Sequence, residues 1–229
     1  MNRIDVIRAA VEATGAERYL EIGVKDGVCF HAIDVPTRVA VDPRFRFRRP
    51  LASRARTALH ARTGSLYFPT TSDRFFERHA RRLAPFDVVF VDGLHTYDQA
   101  YRDVANALDV LGEGGVVVVH DCNPTSAAAA APSLELAART DGWAGEWSGD
   151  VYKAIVRLRA RGDIRASVLD CDQGVAIVVR GAPEDRLRLT PTEIDGLDYG
   201  DLARDRERLL GLRPPGDLAL LLGGVEDPA

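Results

Sequence analysis

Lysine is nearly missing from this chain: of its 30 basic residues only Lys25 and Lys153 are not arginine, a bias that reflects genome composition more than function. Cysteine is scarce as well. Cys29, Cys122 and Cys171 are widely spaced and odd in number, so at least one is unpaired within the chain. That excludes a disulfide framework and fits a reduced, cytoplasmic protein. No apolar run approaches the ~20 residues that a membrane-spanning helix needs. The opening stretch MNRIDVIRAAVEATG lacks the apolar centre of a signal peptide. Positive charge is not in excess either, since the net charge is -4, which removes any global attraction to nucleic acid or anionic membrane. What remains is ordinary for a soluble globular protein, with 46% hydrophobic and 28% charged residues over 229 positions. That length suits one large domain, or one domain with an appendage.

Strand-like and helix-like segments alternate. Ile4 to Ala13 has apolar residues at helical spacing, and RYLEIGV follows as a short strand. RVAVDP (38–43) and FDVVFVDG (86–93) read as further strands, the latter a near-continuous apolar run typical of a parallel strand buried on both faces. YDQAYRDVANALDVL (97–111) is an amphipathic helix ended by glycines, and GVVVVHD (115–121) is the next buried strand. DVYKAIVRLRARG (150–162) reads as a helix capped by Asp150. ASVLDCDQGVAIVVRG (166–181) reads as two strands joined by a turn, an antiparallel pair. The alternation predicts an α/β fold, a doubly wound and mostly parallel sheet with an antiparallel pair near its C-terminal end. Residues 1–181 form the expected domain. Residues 182–229 form an extension with one helical stretch around 199–210, packing on the domain or on a partner, with the last few residues loose. The alanine-rich segment 125–147 is a long insertion between strand and helix, of the kind that often forms a lid or a poorly ordered loop.

Ligands of open parallel sheets bind outside the carboxyl ends of the strands. Glu21, Asp42, Asp92 and Asp121 each follow an apolar run and so fall at that rim. The loop after the first strand, Glu21-Ile-Gly23-Val-Lys-Asp-Gly27, lacks the G-x-G-x-x-G doublet that lets backbone approach a diphosphate. This counts against a nicotinamide dehydrogenase. The E-x-G-x-x-x-G spacing suits a ligand with an ammonium or sulfonium centre, beside which a carboxylate is favourable. Asp42 can accept hydrogen bonds from two ribose hydroxyls.

These residues resemble those of the class I methyltransferases that use S-adenosylmethionine. The resemblance implies that Glu21, Gly23 and Gly27 surround the methionyl part of that cofactor and that Asp42 holds its ribose. It places TTSDRFF (70–76) near the adenine, with Ser72 and Asp73 as contacts. FDVVFVDGLHTYDQAYRDVANALDVLGEGGVVVVHDCNP resembles a branch of small-molecule O-methyltransferases with a D-G-x-H-x-Y segment and an H-D pair after the next strand. The likeness spans roughly residues 15 to 180. Several relatives act on sugar hydroxyls or glycosylated natural products, and many are metal dependent. A saccharide or glycosylated metabolite is therefore the expected acceptor. A hydroxylase on the same scaffold, a methyltransferase of a non-sugar natural product and a non-catalytic cofactor-binding partner stand as alternatives.

Methyl transfer needs the acceptor oxygen held close and the cost of losing its proton lowered. Asp92 and Asp121, at neighbouring strand ends, suit a cation such as Mg2+, with His120 as a further ligand. Relatives often place another acid or an asparagine beside the second aspartate. Here His120 and Cys122 flank it, and Asn123 lies one step further. Without a metal, Asp92 would contact the cofactor's amino group and Asp121 would orient a histidine. His95 is a general base or substrate contact, against a loop-bracing role; His120 is a base, a ligand or a partner satisfied in the core. His31, His60 and His79 read as structural. Trp147 could offer a platform to a sugar ring, and Lys153 could bridge to an acid at the strand ends. The arginine-rich stretch 44–56 reads as a solvated edge or an oligomer contact, with an anionic acceptor also open.

Overall fold

In the computed structural model the described residues are 1–47 and 64–223. His60 and most of the arginine-rich stretch 44–56 lie outside them. Five parallel strands, β1 (Arg18–Ile22), β2 (Thr37–Val41), β3 (Gly64–Phe68), β4 (Phe86–Val91) and β5 (Leu111–Val119), build the first part of one sheet. β6 (Ile164–Leu169), β7 (Val175–Arg180) and the two-residue β8 (Leu212–Arg213) complete it in the order β3-β2-β1-β4-β5-β7-β6-β8. β7 runs antiparallel to both β5 and β6, and β8 is parallel to β6. The strand order reverses between β1 and β4, the switch point at whose carboxyl rim open parallel sheets bind ligands.

Valine-rich runs in β4 and β5 are buried on both faces, because helices cover both sides of the sheet. On one side pack α1 (Arg3–Thr14), α2 (Val28–Ala32) and α10 (Leu218–Leu222). On the other pack α3 (Ser72–Phe75, continued by a π turn), α4 (Tyr97–Val110) and α6 (Val151–Arg159). Each apolar stripe is legible in the spacing: Ala100, Val104 and Ala107 of α4 are buried, as are Val6, Ile7 and Ala10 of α1. α1 starts at a reciprocal cap between Asn2 and Asp5 and stops at Gly15 in the left-handed conformation. No described helix is long and apolar enough to cross a membrane.

The segment after residue 181 joins the same core. Ile194 of α7 (Pro191–Asp195), Leu202 of α8 (Tyr199–Arg204) and Leu209 and Leu210 of α9 (Arg206–Leu210) are buried with α4 and α6. β8 then extends the sheet edge, and Leu218 and Leu222 of α10 pack on the α1 side. The alanine-rich insertion is not a loose loop. Ala128 to Ala131 are buried, and the Ala129 carbonyl accepts from the Ser148 and Gly149 amides, because methyl side chains let the chain fold back closely on itself. Within it, the short α5 (Leu134–Ala137) leaves Leu134 and Leu136 exposed.

Candidate active site

β1, β4 and β5 end side by side at the carboxyl rim and deliver the strand-end groups to one place. β4 runs into Asp92, whose amide bonds the Ile22 carbonyl at 2.9 Å, and β5 runs into His120, whose amide bonds the Val91 carbonyl at 3.0 Å. Gly23 lies across this junction with φ +86, and a Cβ there would overlap the Asp92 carbonyl. Glycine is therefore required for the loop after β1 to lie against the end of β4. The chain also turns sharply after His120, with Asp121 at φ 61. Left-handed backbone is unfavourable for a non-glycine residue by about 1–2 kcal/mol, least so for aspartate and asparagine.

Around this junction, one carboxylate oxygen of Asp121, one of Asp92 and a His95 ring nitrogen lie within 4.8 Å of one another. His95 Nε2 is 3.4 Å from Asp92 Oδ1, and its Nδ1 is 3.3 Å from Asp121 Oδ2 and 3.0 Å from the Trp147 carbonyl. Trp147 stacks on the His95 ring, with centroids 5.2 Å apart, and its indole N–H donates to the Ala131 carbonyl. Gly149, at φ +66, presses so closely that a Cβ would overlap the His95 carbonyl. His120 Nδ1 sits 3.1 Å from Asp121 Oδ2 and 3.5 Å from Asp92 Oδ1. Burial works to raise the Asp92 pKa, yet hydrogen bonds from His120 and His95 outweigh it and hold the carboxyl well below its usual range. Burial works to lower His95, but its contacts with Asp92 and Asp121 raise it above the ordinary histidine value.

The cluster contains an unmet demand. The Asp121 side chain is 4% exposed, and its Oδ1 is buried with no hydrogen-bond partner among the described residues. A buried, unpaired carboxylate oxygen is costly unless a cation or donor reaches it. Two carboxylates converging beside an imidazole are oxygen-rich ligands that fit Mg2+ better than a softer metal. Asn123, one residue from Cys122, is turned away. Its side chain donates to Asp170 and accepts from Arg206, and Tyr199 of α8 bonds the neighbouring Thr125 carbonyl.

Two groups at the rim carry no sequence expectation. Arg3, at the start of α1, places Nη1 at 2.6 Å from His120 Nε2 and 4.0 Å from Asp92 Oδ2. Asp172, in the turn between β6 and β7, accepts from the Arg3 amide at 2.8 Å and lies 3.7 Å from His120 Nε2. The surroundings pull His120 in two directions. Burial lowers it, and the carboxylates of Asp121, Asp172 and Asp92 raise it strongly. Arg3 Nη1 lies close to both ring nitrogens, 2.9 Å from Nδ1 and 2.6 Å from Nε2, so it meets the imidazole broadly. Asp172 was detectable in principle, since it follows a strand as the other rim acids do. Arg3 had no such signal, because nothing in the spacing tells which strand end the α1 amino terminus meets.

The glycine loop closes onto Asp42. The Lys25 amide reaches Asp42 Oδ2 at 2.7 Å, and the Arg44 amide reaches Oδ1 at 2.6 Å. Two of the roughly four lone-pair sites on this carboxylate are thus used, and the remainder can take further donors. Gly27 opens α2 at φ +83, packed against His31 and Phe47. Glu21 is turned inward, 1% exposed, accepting from the Tyr19 hydroxyl at 2.6 Å and from the Phe30 amide. Burial pushes its pKa from 4.5 to about 8, against those two hydrogen bonds and with help from the Asp92 charge.

Ser72 and Asp73 open α3 and meet α4 instead of standing free. Gln99 donates to Ser72 Oγ at 3.2 Å, to Asp73 Oδ1 at 3.1 Å and to Asp103 Oδ1 at 2.9 Å. Asp103 is 1% exposed within the apolar stripe of α4, beneath Gly93, and burial raises its pKa to about 6. A charge on the buried stripe of YDQAYRDVANALDVL is the signal that marks it. Two expectations need correcting. Asp150 does not cap its own helix; it accepts from the Tyr97 amide at 2.7 Å and caps α4, because residues 148–150 are drawn against His95. Lys153 does not bridge to a rim acid; it points outward to the Asp195 carbonyl at 3.0 Å.

Residues 20–122 match the family model of a methyltransferase domain, a span running from β1 to just past Asp121. Every residue expected from the sequence to serve cofactor, metal or proton transfer lies inside it. No curated protein sequence matches the chain. Among solved structures, the O-methyltransferase TomG from Streptomyces achromogenes, in complex with S-adenosylmethionine and involved in tomaymycin synthesis, superposes with a TM-score of 0.54 at 20% identity, covering 80% of this chain and 82% of that one. A Staphylococcus aureus protein assigned as a caffeoyl-CoA O-methyltransferase gives 0.54 at 15% identity, covering 78% and 82%. A Klebsiella pneumoniae protein assigned as an O-methyltransferase gives 0.52 at 16% identity, covering 80% and 82%. At these identities the likeness establishes a shared fold. The domain match and the shared fold make this chain similar to methyltransferases over residues 20–122. The matched segment runs over residues 20–122, and α1 and the elements after Cys122 lie outside it.

Proposed function

We propose that this protein transfers the methyl group of S-adenosylmethionine to a hydroxyl oxygen of a small molecule, a saccharide or glycosylated metabolite, in the cytoplasm. A divalent cation such as Mg2+ would be held by Asp92 and Asp121. The observation that carries the reading is the buried, unpartnered Asp121 Oδ1 beside Asp92 and His95. Mg2+ is commonly held by one or two carboxylates and keeps its other positions for water and substrate, so neither histidine is needed as a ligand. Asp42, with lone pairs to spare, would take the ribose hydroxyls, and the Gly23–Gly27 loop would enclose the methionyl part. Ser72 and Asp73 would border the adenine.

S-adenosylmethionine supplies the methyl on a positively charged sulfur, ready for in-line displacement by oxygen. A cation bound at the carboxylates lowers the cost of removing the acceptor's proton. The chain's own part is positional and basic. Trp147 fixes the plane of His95, and its carbonyl takes the Nδ1–H, which leaves the lone pair on Nε2. His95 Nε2 then accepts the proton of the acceptor hydroxyl.

A second acceptor class, an apolar molecule bearing a hydroxyl, is favoured by the exposed Leu94, Leu134 and Leu136 on segments that leave and re-enter the rim. Titration calorimetry with S-adenosylhomocysteine and with NAD tests the cofactor: heat is expected with the first alone, and a flat trace with it sinks the proposal. Radiolabelled methyl transfer to parallel panels of saccharides and aryl alcohols then separates the acceptor classes. EDTA should abolish that transfer and Mg2+ should restore it; indifference to chelation retires the cation.

A further inference from the structure

We infer that a cavity at the outer edge of β6 is a second ligand site, one that takes a small molecule with a single carboxylate and a short apolar body. The cavity has a volume of about 290 Å³. It exists because β8 is only two residues long and pairs with Val168 and Leu169 alone. The outer side of residues 164–167 therefore has no neighbouring strand among the described residues, and the cavity lies against it, walled by residues 182–185 and by α10. β6 is antiparallel to β7, and β7 to β5, so β6 begins at the end of the sheet opposite the rim. The site is thus separate from the one at Asp92 and Asp121, and it stands whether or not the chain transfers methyl groups.

Charge and burial select the ligand. In a chain of net charge -4, three arginines, Arg159, Arg165 and Arg213, line this cavity against two acids, Glu184 and Asp185. The formal balance of one positive charge matches one carboxylate better than a doubly charged phosphate. Arg159, the last residue of α6, is held rigidly. Its side chain is 4% exposed, Nη1 donates to the Ala166 carbonyl at 2.6 Å, and Nη2 donates to Asp185 Oδ2 at 2.6 Å. Gly211, left-handed at φ +56, lies so close that a Cβ there would overlap Nη1. The Arg159 Nε is buried too, and it has no hydrogen-bond partner among the described residues. A buried N–H of a charged group is costly without an acceptor, and a carboxylate oxygen inside the cavity is the acceptor it lacks. The other oxygen would face Arg213. Ile177 and Leu220 add an apolar part to the lining, and Leu220 is 74% exposed. Covering that leucine favours a ligand with a hydrocarbon body over a bare anion.

Proton–nitrogen correlation spectra of the full chain, titrated with octanoate, test the site, with acetate, octanol and inorganic phosphate as comparison probes. Octanoate should shift the amides of residues 164–167, 184–185 and 218–222 and the Arg159 Nε–H, while the amides of residues 92–96 and 120–122 at the rim stay in place. Acetate should give the same pattern more weakly. Octanol, which lacks the carboxylate, and phosphate should not give it. Arg213→Gln should weaken octanoate about tenfold, the size of one hydrogen bond to a charged group, and Arg213→Lys should fall between. Arg213 is exposed, so both variants should fold. Leu220→Ser should weaken octanoate and leave acetate unchanged. The inference is overturned if the shifts gather at the rim or scatter over the surface, if octanol matches octanoate, if phosphate binds the more tightly, or if Arg213→Gln binds octanoate as the parent does.

Discussion

Replacing Glu21 with glutamine should make the protein's stability less dependent on pH, and the size of the change follows from where the carboxyl sits. In the unfolded chain this group ionises near 4.5, whereas in the fold it stays protonated to about 8, because it is buried in the layer between β1 and α2. Between those values the folded state holds one more proton than the unfolded state. Stability from this group is therefore complete below pH 4.5 and is lost as pH rises toward 8. Each tenfold change in proton affinity is worth about 1.4 kcal/mol, which caps the loss at about 5 kcal/mol. Compensating relaxation around an ionised carboxylate brings a realistic figure to about 2–4 kcal/mol. Glutamine keeps the shape and an acceptor for the Phe30 amide, and gives up about 1 kcal/mol where the Tyr19 hydroxyl loses its carboxyl partner. Urea unfolding of both proteins at pH 5, 6.5 and 8 isolates the effect as a difference of differences. The wild type should lose stability relative to Glu21→Gln across that range, the variant being the more stable at pH 8. Parallel pH profiles would show that the carboxyl is hydrated or paired, contrary to its burial.

The same carboxyl should couple to the cofactor's charge: the affinity of S-adenosylmethionine should rise from pH 6 to 8 more steeply than that of the neutral-sulfur S-adenosylhomocysteine. Calorimetry checks this, and identical slopes, or a difference that survives in Glu21→Gln, would remove Glu21 from the methionyl pocket. Gly149→Ala should cut turnover at least tenfold while S-adenosylhomocysteine still binds, since a Cβ there overlaps the His95 carbonyl and the glycine loop is untouched. Normal turnover in that variant would mean that His95 need not be held where it is. Asp150→Ala should lower unfolding free energy by about 1 kcal/mol through loss of the cap on α4, and Asp150→Asn should recover most of it, both read by urea midpoint. An alanine variant as stable as the parent would deny the cap its role.

The strand-helix alternation made the sheet legible because burial on both faces leaves a plain trace, as in FDVVFV and GVVVV. The antiparallel β6–β7 pair was equally legible from the turn between two β-branched runs. The rim acids could be placed because a parallel sheet sends every strand's end to the same side, so Asp92 and Asp121 had to be neighbours once β4 and β5 were. Long-range hydrogen bonds left no such trace. Asp150 sits where a helix cap belongs, and only the tertiary fold shows that Tyr97, 53 positions away, claims it. Lys153 faces solvent because its position on α6 lies off the buried stripe. Arg3 was invisible for the same reason: helix α1 announces its apolar face, not the strand end its first residue will meet.

The rim's charge balance argues that base and ligands cannot be judged separately. Asp92, Asp121 and Asp172 bring three carboxylates together, and Arg3 offsets one of them. Burial opposes the charged form of His95, but its contacts with Asp92 and Asp121 prevail, which is why its proton affinity is raised. A protonated His95 satisfies Asp92 and Asp121 but cannot accept a proton, and even then Asp121 Oδ1 is left without a partner. Positive charge brought to that oxygen from outside the chain both fills the gap and competes for the oxygens that His95 now contacts, returning the imidazole to the form a base requires. Under the proposed function, a cation at Asp92 and Asp121 would therefore be what frees His95 to act as a base.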